Sequence, residues 1–442
     1  MATANTGSTS TFPGVGDATT TSIESQAYSK VAWRLLPFLF LCYVCAYLDR
    51  VNVGFAKLQM LNDLKFSETV YGLGAGIFFI GYFLFEIPSN LIMYRVGARM
   101  WIARIMITWG ILASLMMIVK SPASFYILRF LLGAAEAGFI PGILLCLTYW
   151  FPAQRRGKVS AIFLTGIPIS GVIGGPLSGW IMHQFHGANG WHGWQWLFLL
   201  EGLPSLLCGI IALFYLTDNI RSAHWLTESE KRILEKDIQA ETHGKEHHSI
   251  RDAFGEPKVW LLAITYAFFL MGLYGISFWL PSLIKAAGVK DPLNVGLLTA
   301  IPYGAATIAM IATSHHSDKT RERRWHLAIA GFAGALGLLL SAAFSHNVPL
   351  AMAALTLAAA GVCTTVSMFW TLPGAFLAGA AAAAGIAFVN SVGNISGFVA
   401  PSMVGWIKDH TGSASPALLV IAACIAIASL LVFRVPARLV NK

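Results

Sequence analysis

The chain is dominated by apolar runs that are long enough to cross a lipid bilayer. A spanning helix needs about 20 predominantly apolar residues, and backbone groups in lipid must be hydrogen-bonded within their own segment. Six such runs precede a polar stretch and six follow it, at residues 33–56, 69–93, 101–119, 123–150, 158–183, 195–216, 257–285, 293–315, 326–345, 349–372, 376–407 and 414–434. The pattern predicts an all-α membrane protein with twelve transmembrane helices.

Composition excludes an ordinary soluble protein. Of the 442 residues, 56% are hydrophobic and only 12% are charged, and the mean hydropathy is +0.65. Soluble domains carry about 25% charged residues, so this chain has too few charges to build a water-facing surface. Lipid is therefore its main solvent.

The basic residues are sorted between the two sides of the membrane. With both termini cytoplasmic, the cytosolic segments hold most of the 30 Lys and Arg, as the positive-inside rule requires. The outer loops hold Lys57, Lys65, Lys120, Lys285, Lys290 and Lys408. The formal charge of +9 is thus a topology signal rather than a nucleic-acid surface. We expect a multi-pass protein of the inner (plasma) membrane.

The chain divides into four segments. Residues 1–29 are rich in Ser, Thr and Gly and contain no Lys or Arg, which predicts a disordered cytosolic tail rather than a signal peptide. Residues 30–216 and 257–435 are predicted to form a first and a second six-helix bundle. The polar segment 217–256 is predicted to be a cytosolic linker with an amphipathic helix, because a capping box at 227–230 precedes a narrow apolar stripe.

The two bundles are related repeats. At a shift of 224 to 226 residues, short segments of the first bundle match segments of the second. The matching pairs are Arg99 with Arg323, Trp101 with Trp325, and residues 176–181 with 401–407. Two six-helix repeats of parallel sense are the internal symmetry of one large class of transporters.

Six charged residues are singled out within the predicted spans, and four of them, Asp49, Arg50, Arg129 and Glu136, lie in the first and fourth spans. Placing such a charge at the bilayer centre costs about 2.5–3.5 kcal/mol. Estimated depths predict that Asp49 pairs with Arg129 and that Arg50 reaches Glu136. Such pairs can simply hold helices in register. Alternatively, low dielectric favours the neutral carboxyl group, so a carboxylate that loses and regains an arginine can carry a proton. The guanidinium fork also suits a carboxylate cargo.

The remaining polar residues of the spans are fewer and mostly neutral. Glu86 and Glu201 lie nearer the span ends, and a structural role is expected for both. The second bundle offers Tyr274, Trp370, Asn390 and Asn394, and the two asparagines share one helix face. An anion held between the bundles would meet arginine on one side and amides or aromatic rings on the other. Packing alone explains any single one of these residues equally well.

The sequence lacks the motifs of several other function classes. It contains no GxxxxGK(S/T) phosphate loop, no HExxH pair and no Ser/His/Asp arrangement, so we expect no ATP, metal or other cofactor and no enzymatic chemistry. An embedded enzyme or a channel is the hypothesis from a different class. A drug or cation antiporter is the alternative within the transporters, although buried Arg50 and Arg129 disfavour a cationic cargo.

Four motifs resemble those of one transporter family. They are 47–56 (YLDRVNVGFA), 129–142 (RFLLGAAEAGFIPG), 149–152 (YWFP) and 381–394 (AAAAGIAFVNSVGN). They are similar to the signatures of the anion:cation symporter family of major facilitator superfamily permeases, and the likeness covers residues 30–435. The branch that the chain resembles most contains bacterial permeases for tartrate, phthalate and hydroxyphenylacetate.

This resemblance implies proton-coupled uptake of a small organic carboxylate, such as tartrate, a sugar acid or an aromatic acid, by alternating access. A monomer is expected. The resemblance implies proton binding at Asp49 and Glu136, and it assigns Arg50 and Arg129 to anion binding and charge pairing. The further cavity positions that it implies are Tyr47, Tyr82, Trp370 and Asn394.

The gating signature departs from the superfamily pattern in the first bundle. That pattern has an Asp before the Arg, whereas here Tyr94 precedes Arg95. The second bundle keeps the acid as Asp318. We expect a weaker charge latch at the inner gate of the first bundle. The predicted gating residues are Arg95, Arg99, Asp318 and Arg323.

Overall fold

The computed structural model describes residues 15–152, 155, 163, 165–242, 255–376 and 381–441, whose regular structure is helical, which confirms the predicted all-α fold. The first bundle contains α1 (Val15–Val51), α2 (Val53–Leu64), α3 (Glu68–Val96), α4 (Ala98–Leu115), α5 (Pro122–Glu136), α6 (Phe139–Thr148), α7 (Gly166–Gln184) and α8 (Gly193–Tyr215). The linker contains α9 (Glu228–Thr242). The second bundle contains α10 (Pro257–Ala286), α11 (Pro292–Thr320), α12 (Arg324–Ala343), α13 (Val348–Phe369), α14 (Thr371–Phe376), α15 (Ala381–Thr411) and α16 (Ser415–Val432), and α17 (Ala437–Val440) follows.

Helices occupy all twelve predicted spans. Ten helical stretches in the described residues are long and apolar enough to cross a membrane. The other two predicted spans, 158–183 and 376–407, contain α7 and α15. These helices are rich in glycine, serine and alanine, which lowers their hydropathy and favours close helix packing instead. Residues 158–162, 164 and 377–380 of these two spans lie outside the described part of the chain.

The first helix begins earlier than the composition indicates. It starts at Val15, within the segment for which composition predicts disorder, and residues 1–14 lie outside the described part. The early turns of this helix pack on the linker, where the Tyr28 hydroxyl donates a hydrogen bond of 2.9 Å to Asp237. Composition could not reveal this contact, because its partners are 209 residues apart in the sequence.

The linker helix α9 is capped and docked on α1. The Thr227 hydroxyl accepts a hydrogen bond from the Glu230 backbone N–H at 3.3 Å, and the Glu230 carboxylate accepts one from the Thr227 N–H at 2.8 Å. Lys30 of α1 lies 2.5 Å from Glu230, and Leu234 is fully buried. The linker helix therefore belongs physically to the first bundle. Residues 243–254 lie outside the described part.

The fourth span is interrupted at residues 137–138 rather than continuous. The cause is Gly138, whose left-handed φ of 83° ends α5 directly after Glu136. Irregular backbone at membrane depth is tolerated where it is enclosed by protein or lines a cavity.

The two bundles meet through helix pairs that approach closely at glycine. α3 packs against α15, and α7 packs against α11. A Cβ atom at Gly72 would lie 2.4 Å from the Pro401 carbonyl oxygen, and one at Gly175 would lie 2.7 Å from that of Gly296. Such small-residue contacts are typical of membrane helix pairs. We call this end of the molecule the joined end, and it comprises residues 57–72, 175–184, 278–296 and 401–410.

Candidate functional site

Asp49 and its neighbour Arg50 point to different helices of the first bundle. Consecutive helical residues point about 100° apart, so the two side chains meet different surroundings. The indole N–H of Trp109 on α4 donates to Asp49 Oδ2 at 2.8 Å, and the Ser205 hydroxyl on α8 donates to the same oxygen. Asp49 is buried with neutral donors. Sequence reasoning missed both partners, because a single Trp or Ser in an apolar span carries no specific signal.

Arg50 forms an ion pair with Glu136 of α5. Its guanidinium donates directly to the carboxylate, which confirms the expected contact. The Arg50 side chain is 11% exposed and that of Glu136 is 1% exposed, so the pair is largely withdrawn from solvent. The rings of Phe78, Phe79 and Tyr82 on α3 have centroids 5.3, 6.0 and 5.4 Å from the guanidinium carbon, within the range of cation–π attraction. Three helices of the first bundle therefore hold this pair.

Arg129 has different partners from those expected. It is fully buried, and its Nε and Nη2 atoms donate to the carbonyl oxygens of Gly74 and Ala75 on α3 at 3.2 and 3.4 Å. The predicted pair between Asp49 and Arg129 is wrong, because Asp49 faces α4 and α8 whereas Arg129 faces α3. Depth along a helix could be estimated from the sequence, but the direction of each side chain around its helix could not.

The backbone turns immediately after Glu136. A Cβ atom on Gly138 would lie 2.5 Å from the Ser89 hydroxyl of α3, and the φ of this residue is +83°. Glycine is therefore required both for the left-handed backbone and for the close approach. As a result, the Glu136 carboxylate lies at a helix terminus beside irregular backbone, an arrangement that lines the binding sites of several transporter folds.

Polar side chains of the second bundle reach the same region. The hydroxyls of Tyr47 and Ser277 are 2.9 Å apart, and the Tyr274 hydroxyl donates to Asn394 Oδ1 at 3.2 Å. The Tyr274 ring packs edge-on against Phe79 with centroids 4.5 Å apart, and Phe79 is one of the rings around the ion pair. The structure thus brings Tyr274 and Asn394 to the interface beside that pair, and it brings Tyr47 to the same interface at Ser277.

Glu86 and Trp370 have their described partners elsewhere. Glu86, for which a structural role was expected, is buried in α3 and accepts a hydrogen bond of 3.5 Å from Asn390 of the second bundle, a contact that is compatible with that role. Trp370 packs on Tyr266 of α10 with centroids 4.9 Å apart, so the described contacts do not place it beside the ion pair.

The predicted gating residues make their described contacts within each bundle. In the first bundle, Asp218 accepts a hydrogen bond of 2.9 Å from the Arg99 backbone N–H and lies 3.5 Å from Arg99 Nε. In the second bundle, Arg323 lies 3.0 Å from Asp318, and Arg95 is exposed. Asp218, from the loop after α8, supplies the acid that the first-bundle signature lacks.

A small cavity of about 10 Å³ lies between the bundles beside the Tyr47–Ser277 contact. It is bordered by α1, α2 and α7 on one side and by α10 and α11 on the other. Its polar lining comes from Asn52, Ser170, Ser178, Ser277, Thr299 and Tyr303. A single buried water molecule needs about 10–15 Å³, so in this conformation the cavity has no room for a larger ligand.

Comparison with known proteins identifies the fold. Residues 39–401 match the model of the Major Facilitator Superfamily. A bacterial homolog of the human lysosomal transporter Spinster, solved in an inward-facing and occupied conformation, has a TM-score of 0.72 at 14% identity, covering 92% of this chain and 96% of that chain. The xylose transporter XylE from E. coli has a TM-score of 0.71 at 13% identity, covering 91% and 99%. At these identities the likeness concerns the fold alone.

Three relatives are similar over nearly their whole length. NicT of Pseudomonas putida, provisionally named a metabolite transport protein, is 51% identical over 417 residues, which are 94% of this chain and 95% of that protein. A protein of Agrobacterium vitis with the provisional name of tartrate transporter is 48% identical over 414 residues, covering 93% and 92%. A quinolone resistance transporter of Acinetobacter baumannii is 40% identical over 419 residues, covering 94% and 96%.

Proposed function

The chain belongs to the Major Facilitator Superfamily, as a multi-pass membrane protein and secondary transporter rather than an enzyme, and we propose that it imports a small organic carboxylate together with protons. The two bundles, residues 30–216 and 257–435, alternate access to the region between them. The protein acts as a monomer in the inner membrane. Its termini and linker are cytoplasmic and its joined end faces outward, because the basic residues are concentrated in the opposite loops.

The observation that carries this proposal is the buried pair of Arg50 and Glu136. A substrate carboxylate that binds the Arg50 fork takes the place of the Glu136 carboxylate. An unpaired carboxylate in low dielectric is costly, so its release from Arg50 favours protonation. Anion binding and proton binding thereby support each other, which is the requirement for symport. Asp49, whose described donors are neutral, is a second candidate for a proton.

The groups around the ion pair support a carboxylate with further polar or aromatic parts. Tyr47, Tyr274 and Asn394 supply hydroxyl and amide groups, and Tyr82 supplies a ring near Arg50. Arg129, although buried against α3, interacts electrostatically with the same carboxylate as Arg50. The provisional name of the Agrobacterium vitis relative supports tartrate-like acids as the first substrates to examine.

Uptake into sealed vesicles tests the proposal. The protein is reconstituted, a pH gradient with an acidic outside is imposed, and accumulation of L-tartrate, gluconate, phthalate and 4-hydroxyphenylacetate is measured. At least one of these anions should accumulate, and its accumulation should disappear when a protonophore collapses the gradient. Equal accumulation with and without the gradient would show that protons are not coupled.

Antiport of a drug is the second candidate, because one relative at 40% identity is a quinolone resistance transporter. The matching experiment loads acidified vesicles with a pH-sensitive dye and adds a fluoroquinolone or an organic cation outside. Import of carboxylates predicts no drug-stimulated proton efflux. Efflux stimulated by the drug, without uptake of any carboxylate, would favour the second candidate.

A further inference from the structure

A second charged cluster lies at the joined end, apart from the ion pair of α1 and α5. We name it the Glu68 cluster, and it consists of Lys57 on α2, Glu68 on α3, Trp279 on α10 and Lys408 on α15. Lys57 Nζ lies 2.6 Å from one Glu68 oxygen, and Lys408 Nζ lies 2.6 Å from the other. The side chains of Glu68 and Lys408 are 21% and 25% exposed. One solvent-accessible carboxylate therefore bridges a lysine of each bundle.

Lys57 is held in a way that depends on both bundles. Its side chain is only 3% exposed, and its Nζ lies 3.4 Å from the ring centroid of Trp279 and 4.6 Å from that of Tyr71. Cation–π attraction of this kind stabilises a desolvated ammonium group. Because Trp279 belongs to the second bundle, this part of the stabilisation exists while the bundles are joined and is lost when they separate.

Further polar contacts surround the cluster and also cross between the bundles. Asp409 of α15 accepts hydrogen bonds from the backbone N–H groups of Glu68 at 3.0 Å and Thr69 at 2.7 Å, where α3 begins. Lys285 of α10 donates to the Leu58 carbonyl oxygen of α2 at 2.9 Å. Around this point three lysines face two carboxylates, so the joined end carries an excess of positive charge.

Membrane topology does not account for these lysines. The positive-inside rule explains the basic loops at the opposite end, yet three of the lysines assigned to the outer loops converge here. Burying a lysine is costly unless its charge is paired. If the Glu68 carboxylate moved away, the ammonium groups of Lys57 and Lys408 would face the opening gap between the bundles. Another carboxylate could then form the same charge-assisted hydrogen bonds.

We propose that the Glu68 cluster is a latch that holds the joined end closed, and that the carboxylate of an incoming substrate opens it by taking the place of Glu68 between Lys57 and Lys408. The role of the substrate rests on the proposed import of carboxylates, whereas the latch does not. Glu68→Gln removes the bridge and keeps both lysines as an anion site. Lys408→Gln removes the bridge and half of the anion site, whereas Lys408→Arg keeps both.

Labelling of an introduced cysteine tests the latch without any substrate. Ser402→Cys places a thiol on α15 opposite α3, where the Ser402 hydroxyl lies 3.4 Å from the Gly72 carbonyl oxygen. In right-side-out vesicles, Glu68→Gln and Lys408→Gln should each speed labelling by a membrane-impermeant maleimide by about tenfold, since a lost ion pair shifts the open population. The Lys408→Arg variant should be labelled at the same rate as the protein that carries Ser402→Cys alone. So should Lys290→Gln, which removes an exposed lysine outside the cluster. Equal rates in all variants would overturn the latch.

Transport kinetics test the part played by the substrate, using whichever anion of L-tartrate, gluconate, phthalate and 4-hydroxyphenylacetate is taken up. Glu68→Gln should lower KM, because the anion site between the two lysines is intact and accessible. It should also lower kcat, because the open state of the joined end is favoured. Lys408→Gln should raise KM, because an ammonium group that binds the anion is missing. If KM changed in the same direction in both variants, the proposed competition between the substrate carboxylate and Glu68 would be wrong. If the wild type takes up none of these anions, the proposed function fails and the substrate's role fails with it, while the labelling still decides the latch.

Discussion

In a Glu136→Gln variant, Arg50 keeps its aromatic neighbours but loses the charge of its partner. The wild-type pair is nearly buried, with side-chain exposures of 11% for Arg50 and 1% for Glu136. Removing one member of a buried pair costs about 3–5 kcal/mol, and cation–π contacts to the rings at 5.3–6.0 Å offset part of that, at about 0.5–2 kcal/mol. We expect the variant to fold with reduced thermal stability and a side chain that mimics protonated Glu136.

The consequence for transport follows from the energy of the proton gradient. One pH unit is worth about 1.4 kcal/mol for each proton that moves with the substrate. Symport with one proton can therefore sustain about tenfold accumulation for each pH unit. Since the amide introduced in place of the Glu136 carboxyl group cannot release a proton, accumulation should fall to about the outside concentration, while exchange of substrate across the membrane continues.

The assay compares the two activities in the same vesicles. Concentrative uptake is driven by an acidic outside, and exchange is measured as counterflow of labelled substrate. Glu201→Gln is the matched control, because Glu201 is also a buried carboxylate of the first bundle, but its carboxylate accepts a hydrogen bond of 2.6 Å from the Ser178 hydroxyl instead of pairing with arginine. Accumulation that survives in Glu136→Gln would refute the proton role. Equal loss in both variants would show a general effect of neutralising buried carboxylates.

Three further predictions concern stability. Arg129→Lys should lower the unfolding temperature in detergent, because one ammonium group cannot match the fork that donates to the Gly74 and Ala75 carbonyls, and a hydrogen bond from a charged group is worth about 1.5–3 kcal/mol. Gly138→Ala should destabilise the protein more than Gly187→Ala in the same melting assay, because both glycines have φ of +83° but a Cβ clashes only at Gly138; equal losses would contradict the steric argument. Burial alone would raise the pKa of Glu230, but hydrogen bonds from a lysine of α1 and from the helix cap hold that pKa below the ordinary 4.5. Docking of α9 should therefore persist above pH 4.5 and weaken as the pH falls below it. Faster hydrogen exchange of the α9 amides at low pH would show this loss of docking.

The fold followed from the sequence because lipid imposes a simple rule on long apolar segments. Every span had to be helical, and matching segments at a shift of 224 to 226 residues indicated two repeats. The contact between Arg50 and Glu136 was also predictable, since both are charges in apolar spans at similar depth and a buried charge needs a partner. The start of α1 was not predictable, because its polar early turns are stabilised by α9, far away in the sequence.

Side-chain direction limited the rest of the site prediction. Asp49 and Arg129 have suitable charge and depth for a pair, yet they face different helices and bond to Trp109, Ser205 and backbone carbonyls instead. Glu86 was expected to be structural because it lies near a span end, but the sequence did not indicate its partner Asn390 on the second bundle. Rotation about a helix axis depends on neighbouring helices, and a single sequence does not contain those neighbours explicitly.

By itself, the sequence determined that the chain is a helical membrane protein with a basic excess in one set of loops and a few charges retained within the spans. Solvation explains this, because apolar length, loop charge and the cost of burying a charge are properties of each segment alone. The tertiary structure decided which charges meet. It paired Arg50 with Glu136, turned Asp49 into the first bundle and brought Lys57, Glu68 and Lys408 together across the joined end. These contacts depend on how distant helices pack and rotate against one another.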